Sequence, residues 1–308
     1  MSAPQIAAGI EATLTSVARA ASSEASADLA RPARPVKVIH PPSFSLSTVF
    51  TGLRTLLQYS DLLYTLSLFR LSVRYKQSAL GWTWAALQPL ALMGIYTVIF
   101  TRVTTVATAG IPYPVFVFSG LLPWIFFSST ISNAVQGLVL YPNLLTKMYF
   151  PREIIPLSYM IASFTDFCIA SVILGGLMLH YKVPLTWHIL YAIPIMLLLA
   201  GFAASIALFF SAVQVRFRDV GLAMPFLLQV WMFTVPVVYS LQSVPVKFRG
   251  AYLLDPVSGL IDGYRNAVLH GGTPDFRALA LCFGVVLASM PLAYGYFKSS
   301  EATMADVI

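Results

Sequence analysis

The chain has 308 residues, 58% of them hydrophobic and only 10% charged, with a formal net charge of +7. Soluble domains carry about 25% charged residues, so this composition excludes a chain surrounded by water alone and requires hydrocarbon as part of its solvent. The excess of Lys and Arg fits cations retained beside anionic headgroups, and no nucleic-acid partner is expected.

From Met1 to about Pro42 the chain is rich in Ala, Ser and Pro and ends in "RPARPVKVIHPP". No apolar face is large enough to offset the entropy of ordering, so residues 1–52 are expected to be a disordered cytoplasmic tail. No compact apolar stretch follows a basic start, so a signal peptide is not expected. A single membrane domain is expected over 53–300.

"SDLLYTLSLFRLSVRYKQ", Ser60 to Gln77, has helical periodicity. Leu62, Leu66, Phe69 and Val73 share one face, while Ser67, Arg70, Arg74 and Gln77 share the other. An apolar face backed by cations predicts a helix lying in the membrane interface.

Six apolar runs follow: Gly81–Thr101, Pro114–Leu140, Ile154–Tyr181, Leu185–Ala212, Val220–Leu241 and Ala278–Phe297. Each is long enough for a hydrocarbon core of about 30 Å. The fold expected is therefore an all-α polytopic membrane protein with six spans after the interfacial helix. Most Lys and Arg fall on one side when both termini are cytoplasmic; Arg102, Lys182, Lys247, Arg249, Arg265 and Arg277 fall on the other. The outer loop "VPVKFRGAYLLDPVSGLIDGYRNAVLHGGTP" is too apolar for a solvated loop and too broken for a span. It reads either as short re-entrant or interfacial helices, or as a lid packed on the bundle.

Little in the sequence points to catalysis. Cys168 and Cys282 lie in apolar runs, the four histidines are scattered, and no metal-ligand spacing occurs. No phosphate-binding glycine loop of the P-loop type is present, so no nucleotide and no other cofactor is expected on this chain. No pair of acids or Ser–His arrangement suggests an enzyme embedded in the membrane. Asp166, in "SFTDFCIAS", is the deep acid of the third run. It is expected to face the bundle interior, either in a structural bond to a hydroxyl or cation or in contact with substrate; a lone acid makes a poor proton relay. Two inner loops, "YPNLLTKMYFPREIIPLS" with a short helix expected over Leu144–Phe150, and "VRFRDVG", are brief, charged and aromatic. Each is either a segment docking on another protein or a turn with basic anchors.

Six segments occur in order: "VRYKQSALGWTWAALQPL", "FSGLLPWIFFSS", "KMYFPREIIPLS", "RFRDV", "TVPVVYSLQSVP" and "DPVSGLIDGYRNAVL". Together they resemble the ABC-2 type transporter permeases of the polysaccharide-export branch, over about Leu53 to Phe297. Asp255 stands where that family usually has Asn. The resemblance implies a homodimer in the cytoplasmic membrane, with two copies of a separate ATPase that binds Mg-ATP, exporting a lipid-linked, O-antigen-like polysaccharide. It implies ATPase-coupling roles for Tyr141, Asn143, Lys147, Tyr149, Phe150, Pro151, Arg152 and Glu153, and for Arg216, Arg218 and Asp219. Arg70, Arg74, Tyr75 and Lys76 would form the interfacial elbow against headgroup lipids. Tyr96, Trp231, Phe233 and Tyr239 would line the pathway by stacking on sugar rings. Alternatives are export of teichoic acid or capsule by the same mechanism, an ion-coupled carrier, or a membrane scaffold for glycan enzymes.

Overall fold

A span without charged residues that its own chain covers on most sides sits at the centre of a bundle, and one such helix organises this protein. In the computed structural model residues 54–76, 78–102, 110–141 and 150–307 are described, apart from 246, 248, 249, 251 and 253, and all lie in the unit Pro41–Ile308. The expected tail, and residues 144–149 of the helix expected over Leu144–Phe150, lie outside the described residues.

The main elements are α1 (Ser60–Tyr75), α2 (Thr83–Arg102), α3 (Tyr113–Leu140), α4 (Ile154–His180), α5 (Ala192–Arg216), α6 (Asp219–Thr234), α7 (Pro256–Arg265) and α8 (Phe276–Val307). A 3-10 turn, Trp187–Tyr191, leads into α5, and a π-helical turn, Asn266–His270, prolongs α7. Every regular element among the described residues is helical. Helix α3 is the hub, packed by α2, α4, α5, α6 and α7. Of its most apolar window 78% is buried, against 6% for α2, so α2 spends its apolar surface on surroundings outside this chain. Phe127 of α3 stacks on Phe202 of α5 at 5.9 Å.

Among the described residues five helices are long and apolar enough to cross a membrane: α2, α3, α4, α5 with its 3-10 lead-in, and α8. Of the expected fifth span, Val220–Leu241, only the part up to Thr234 is α-helix. Helix α6 has only 16 residues, roughly 24 Å at the helical rise, and stops at Thr234. The cause is Pro236, whose ring drives the preceding residue out of the α region; Val235 is extended, with φ −93° and ψ 140°. Helix α8 runs beyond the expected Phe297, steadied by an i, i+3 ion pair between Lys298 and Glu301 at 2.9 Å.

Helix α1 meets the bundle with parts of both expected faces. Ser67, Arg70, Leu71 and Tyr75 are buried and Leu62 and Leu66 pack against the core, whereas Phe69, Val73 and Arg74 are exposed. Arg70 turns inward because Tyr159 of α4 and Tyr141 receive it, and exposed apolar residues can face lipid at no cost.

Candidate functional site

Four helices each lend one stripe to a cavity of about 750 Å³. Trp84, Ala85 and Gln88 come from α2, Ser128, Ser129, Ser132 and Asn133 from α3, Ser163, Asp166 and Phe167 from α4, and Leu228, Gln229 and Met232 from α6. The recurring spacings of three and four residues are those of one helix face. Polar hydroxyl and carboxamide groups are thus gathered inside helices that are otherwise apolar. Trp84, Trp124, Phe126 and Phe167 add aromatic surface to the walls.

Asp166, half-way along α4, meets both of its expected kinds of partner. Its Oδ1 accepts from the Tyr75 hydroxyl at 2.8 Å, and its Oδ2 pairs with the Arg74 guanidinium. Burial, with the Asp166 carboxylate beside it, pushes the Tyr75 hydroxyl up to about 12, so at neutral pH it remains a donor. Tyr75 also stacks on Trp82 at 4.9 Å. Arg70 lies deeper, its guanidinium 4.2 Å from the Tyr141 ring and 4.4 Å from the Tyr159 ring. Lys76 is exposed, closing α1 with a backbone bond to Ser72.

None of the four expected pathway aromatics lines this cavity. Tyr96 is half-buried and packs near Phe100. Trp231 donates its indole N–H to Asp255 at 3.1 Å and meets Phe127 edge-on. Phe233 is exposed, and its carbonyl accepts from the Tyr239 hydroxyl, which also bonds that of Tyr252 at 2.9 Å. Trp231, Phe233 and Tyr239 thus belong to the hydrogen-bonded network around the stretch that follows α6. The stripe Ser128, Ser129, Ser132, Asn133 was missed, although polar residues recurring at helical spacing in an apolar run were its visible signal.

That stretch after α6 is held by a residue the sequence reading left among the outer-loop cations. Arg265 is 1% exposed. Its Nη2 donates to the Val237 carbonyl at 2.6 Å, its Nη1 to the Tyr239 carbonyl at 3.3 Å, and its guanidinium lies 4.0 Å from the Phe116 ring centre. The irregular backbone that Pro236 creates is buried, so its carbonyls need donors, and Arg265 supplies them. Asp255 caps α7, accepting from the Val257 N–H and the Ser258 hydroxyl. The outer segment is therefore a buried helix docked in the bundle.

At the other end, Glu153 is wholly buried, not displayed. It accepts from Lys298 at 2.8 Å and from the Tyr294 hydroxyl at 3.2 Å. Arg152 bonds the Glu301 carbonyl, and Phe150 and Pro151 are buried beside them. The end of this loop is tied to α8 and offers little surface of its own. Tyr141 remains partly exposed; Asn143, Lys147 and Tyr149 lie outside the described residues. Arg216, Phe217, Arg218 and Asp219 are all exposed, forming a basic and aromatic knuckle between α5 and α6. The Gln214 carbonyl oxygen accepts the Gly221 N–H, fixing the start of α6 against the end of α5.

A sequence model of the ABC-2 type transporter family matches residues 61–269. The chain is 30% identical over 258 residues to an O-antigen export system permease protein, RfbA, of Myxococcus xanthus, covering 83% of this chain and 98% of the relative. It is 30% identical over 252 residues to an O-antigen export system permease protein, also RfbA, of Klebsiella pneumoniae, covering 80% and 95%. With the polysialic acid transport protein KpsM of Escherichia coli it shares 24% over 253 residues, covering 78% and 93%.

Proposed function

We infer the function from one premise: the chain belongs to the ABC-2 type transporter family, and it is the membrane permease of an ABC transporter that exports polysaccharide. The observation that carries this reading is the cavity, where hydroxyls, carboxamides and aromatic rings line the inside of apolar helices. A glycan is too polar to dissolve in lipid, and a polar lining inside the bundle gives it a path.

The finer reading is of two copies of this chain in the cytoplasmic membrane, with two copies of a separate ATPase beneath them. The cargo is a lipid-linked, O-antigen-like chain, and Mg-ATP is bound by the partner alone. Both termini are cytoplasmic, α6 and the irregular stretch after it together make the fifth crossing, and α7 is re-entrant from the far side. The short length of α6 and the burial of α7 support this topology. Pairing with Arg74 removes Asp166 as a free acid for proton coupling, which favours a partner-driven pump over an ion-coupled carrier.

Docking falls to the exposed knuckle Arg216–Asp219, together with the loop that ends at Glu153. Movement of a docked partner reaches α5 and α6 through the Gln214–Gly221 bond and α8 through Glu153. Arg218→Glu is expected to lower recovery of the ATPase with the tagged permease on the order of tenfold, since reversing an exposed charge at an interface weakens encounter and binding together. The amount of permease in the membrane should not change. Undiminished recovery of the ATPase with Arg218→Glu would remove the knuckle from the docking surface.

A further inference from the structure

The cavity has two features that a passive conduit does not require. Ser163 is 1% exposed and faces the cavity, yet its Oγ has no hydrogen-bond partner among the described residues. A buried hydroxyl left unpaired is unfavourable unless something that visits the site bonds it. The second feature is balance of charge. The ionised groups of this wall, Arg74 and Asp166, neutralise one another, and the remaining polar groups on it are hydroxyls and carboxamides.

We propose that this corner is a binding subsite for one uncharged sugar ring of the exported chain, with Trp84 as the platform and Ser163, Asp166 and Asn133 as its hydroxyl partners. The proposal rests on the export reading above and specifies what that site selects. Trp84 is 47% exposed and lines the cavity, so an indole face is open to the C–H face of a pyranose. Ser163 and Asp166 are three residues apart on α4 and so share its cavity face. Asp166 already accepts from Tyr75 and Arg74, which fixes its carboxylate in place and leaves lone pairs for a ligand hydroxyl. Asn133 donates its amide to the Ser129 carbonyl at 2.7 Å, leaving its own carbonyl oxygen as an acceptor. Gln229 of α6, also lining the cavity, brings a carboxamide that both donates and accepts. A ring bearing a carboxylate or phosphate would meet the fixed Asp166 anion with Arg74, the cation lining this wall, already engaged. The corner therefore selects against a polyanion as well as for a neutral ring.

The test uses the full chain with its ATPase in cells that make the native glycan. A photoreactive benzoylphenylalanine replaces Trp84, keeping an aromatic face, or Ala85 on the same wall; a third position, Tyr239, reports on the outer segment. Attached glycan is then read by mass spectrometry. The expected result is uncharged glycan captured at 84 or 85. Adding Ser163→Ala should reduce that capture, and the export rate, on the order of fivefold with the amount of membrane protein unchanged. Capture at 239 alone, or of an anionic glycan at 84 or 85, overturns the subsite and leaves the export reading standing. Unchanged capture and export in Ser163→Ala overturns the role of the hydroxyl and with it the proposal. Absence of glycan at all three positions overturns the export reading itself.

Discussion

Gly120→Ala is expected to lose at least about 3 kcal/mol of stability and most of the folded protein in the membrane, although it adds one methyl group. A Cβ at Gly120 would stand 2.2 Å from Arg265 Nη2 and 2.5 Å from the Val237 carbonyl oxygen. Neither neighbour can yield cheaply. The carbonyl is backbone, in a stretch already forced out of helix by Pro236. The guanidinium bonds two buried carbonyls, cannot shed its charge, and has Phe116 on its face. Moving it leaves a buried cation unpaired and two carbonyls without donors, and those losses exceed the steric clash. Gly175→Ala is the control, since nothing lies within 4 Å of a Cβ there. The measurement is the fraction of solubilised protein that stays monodisperse after graded heating. Equal survival of Gly120→Ala and Gly175→Ala would contradict the clamp formed by Arg265.

The second large effect is expected at the opposite end. Lys298→Met should cost about 3–5 kcal/mol, because the carboxylate of Glu153 would then be buried without its cation. Its side chain is 1% exposed, and beyond Lys298 it accepts only from the Tyr294 hydroxyl among the described residues. Adding Glu153→Gln to Lys298→Met should recover most of the loss, since a buried amide needs hydrogen bonds but no counter-charge. A coupling of at least about 2 kcal/mol in the four-variant cycle is the expected outcome, and additive losses would mean that the two side chains act independently. This bond joins the end of the loop that follows α3 to α8, so its loss should also uncouple ATP hydrolysis from export in whatever protein survives. A surface turn would give neither effect.

Some of this architecture could be read in the residues and some could not, for identifiable physical reasons. Helix α3 was legible as a span because Pro114 to Leu140 is long and uncharged, but its place as the hub was not. Asp166 was legible as an inward acid because a charge in an apolar run must find a partner, and the structure supplies Arg74 and Tyr75. The orientation of α1 was not legible. An amphipathic pattern separates two faces without stating which one meets the protein, and here the cations of α1 find rings and a carboxylate on the protein side. Arg265 read as a loop cation because its burial depends on the approach of α3 at Gly120 and on the backbone after Pro236. Each is ordinary on its own. The cavity needs one stripe from each of four helices, so no single run announced it. The aromatics selected from α2, α6 and the stretch after it were chosen as rings able to stack on sugars, and none of the four lines this cavity.

The most direct measurement is translocation by the purified permease and its co-purified ATPase, reconstituted together in sealed vesicles with the native lipid-linked glycan. The account predicts that glycan moves to the opposite face only with both proteins and hydrolysable ATP, that a collapsed proton gradient leaves the rate unchanged, and that Arg218→Glu slows it. Translocation that persists without the ATPase, or that stops when the proton gradient alone is removed, would contradict the account.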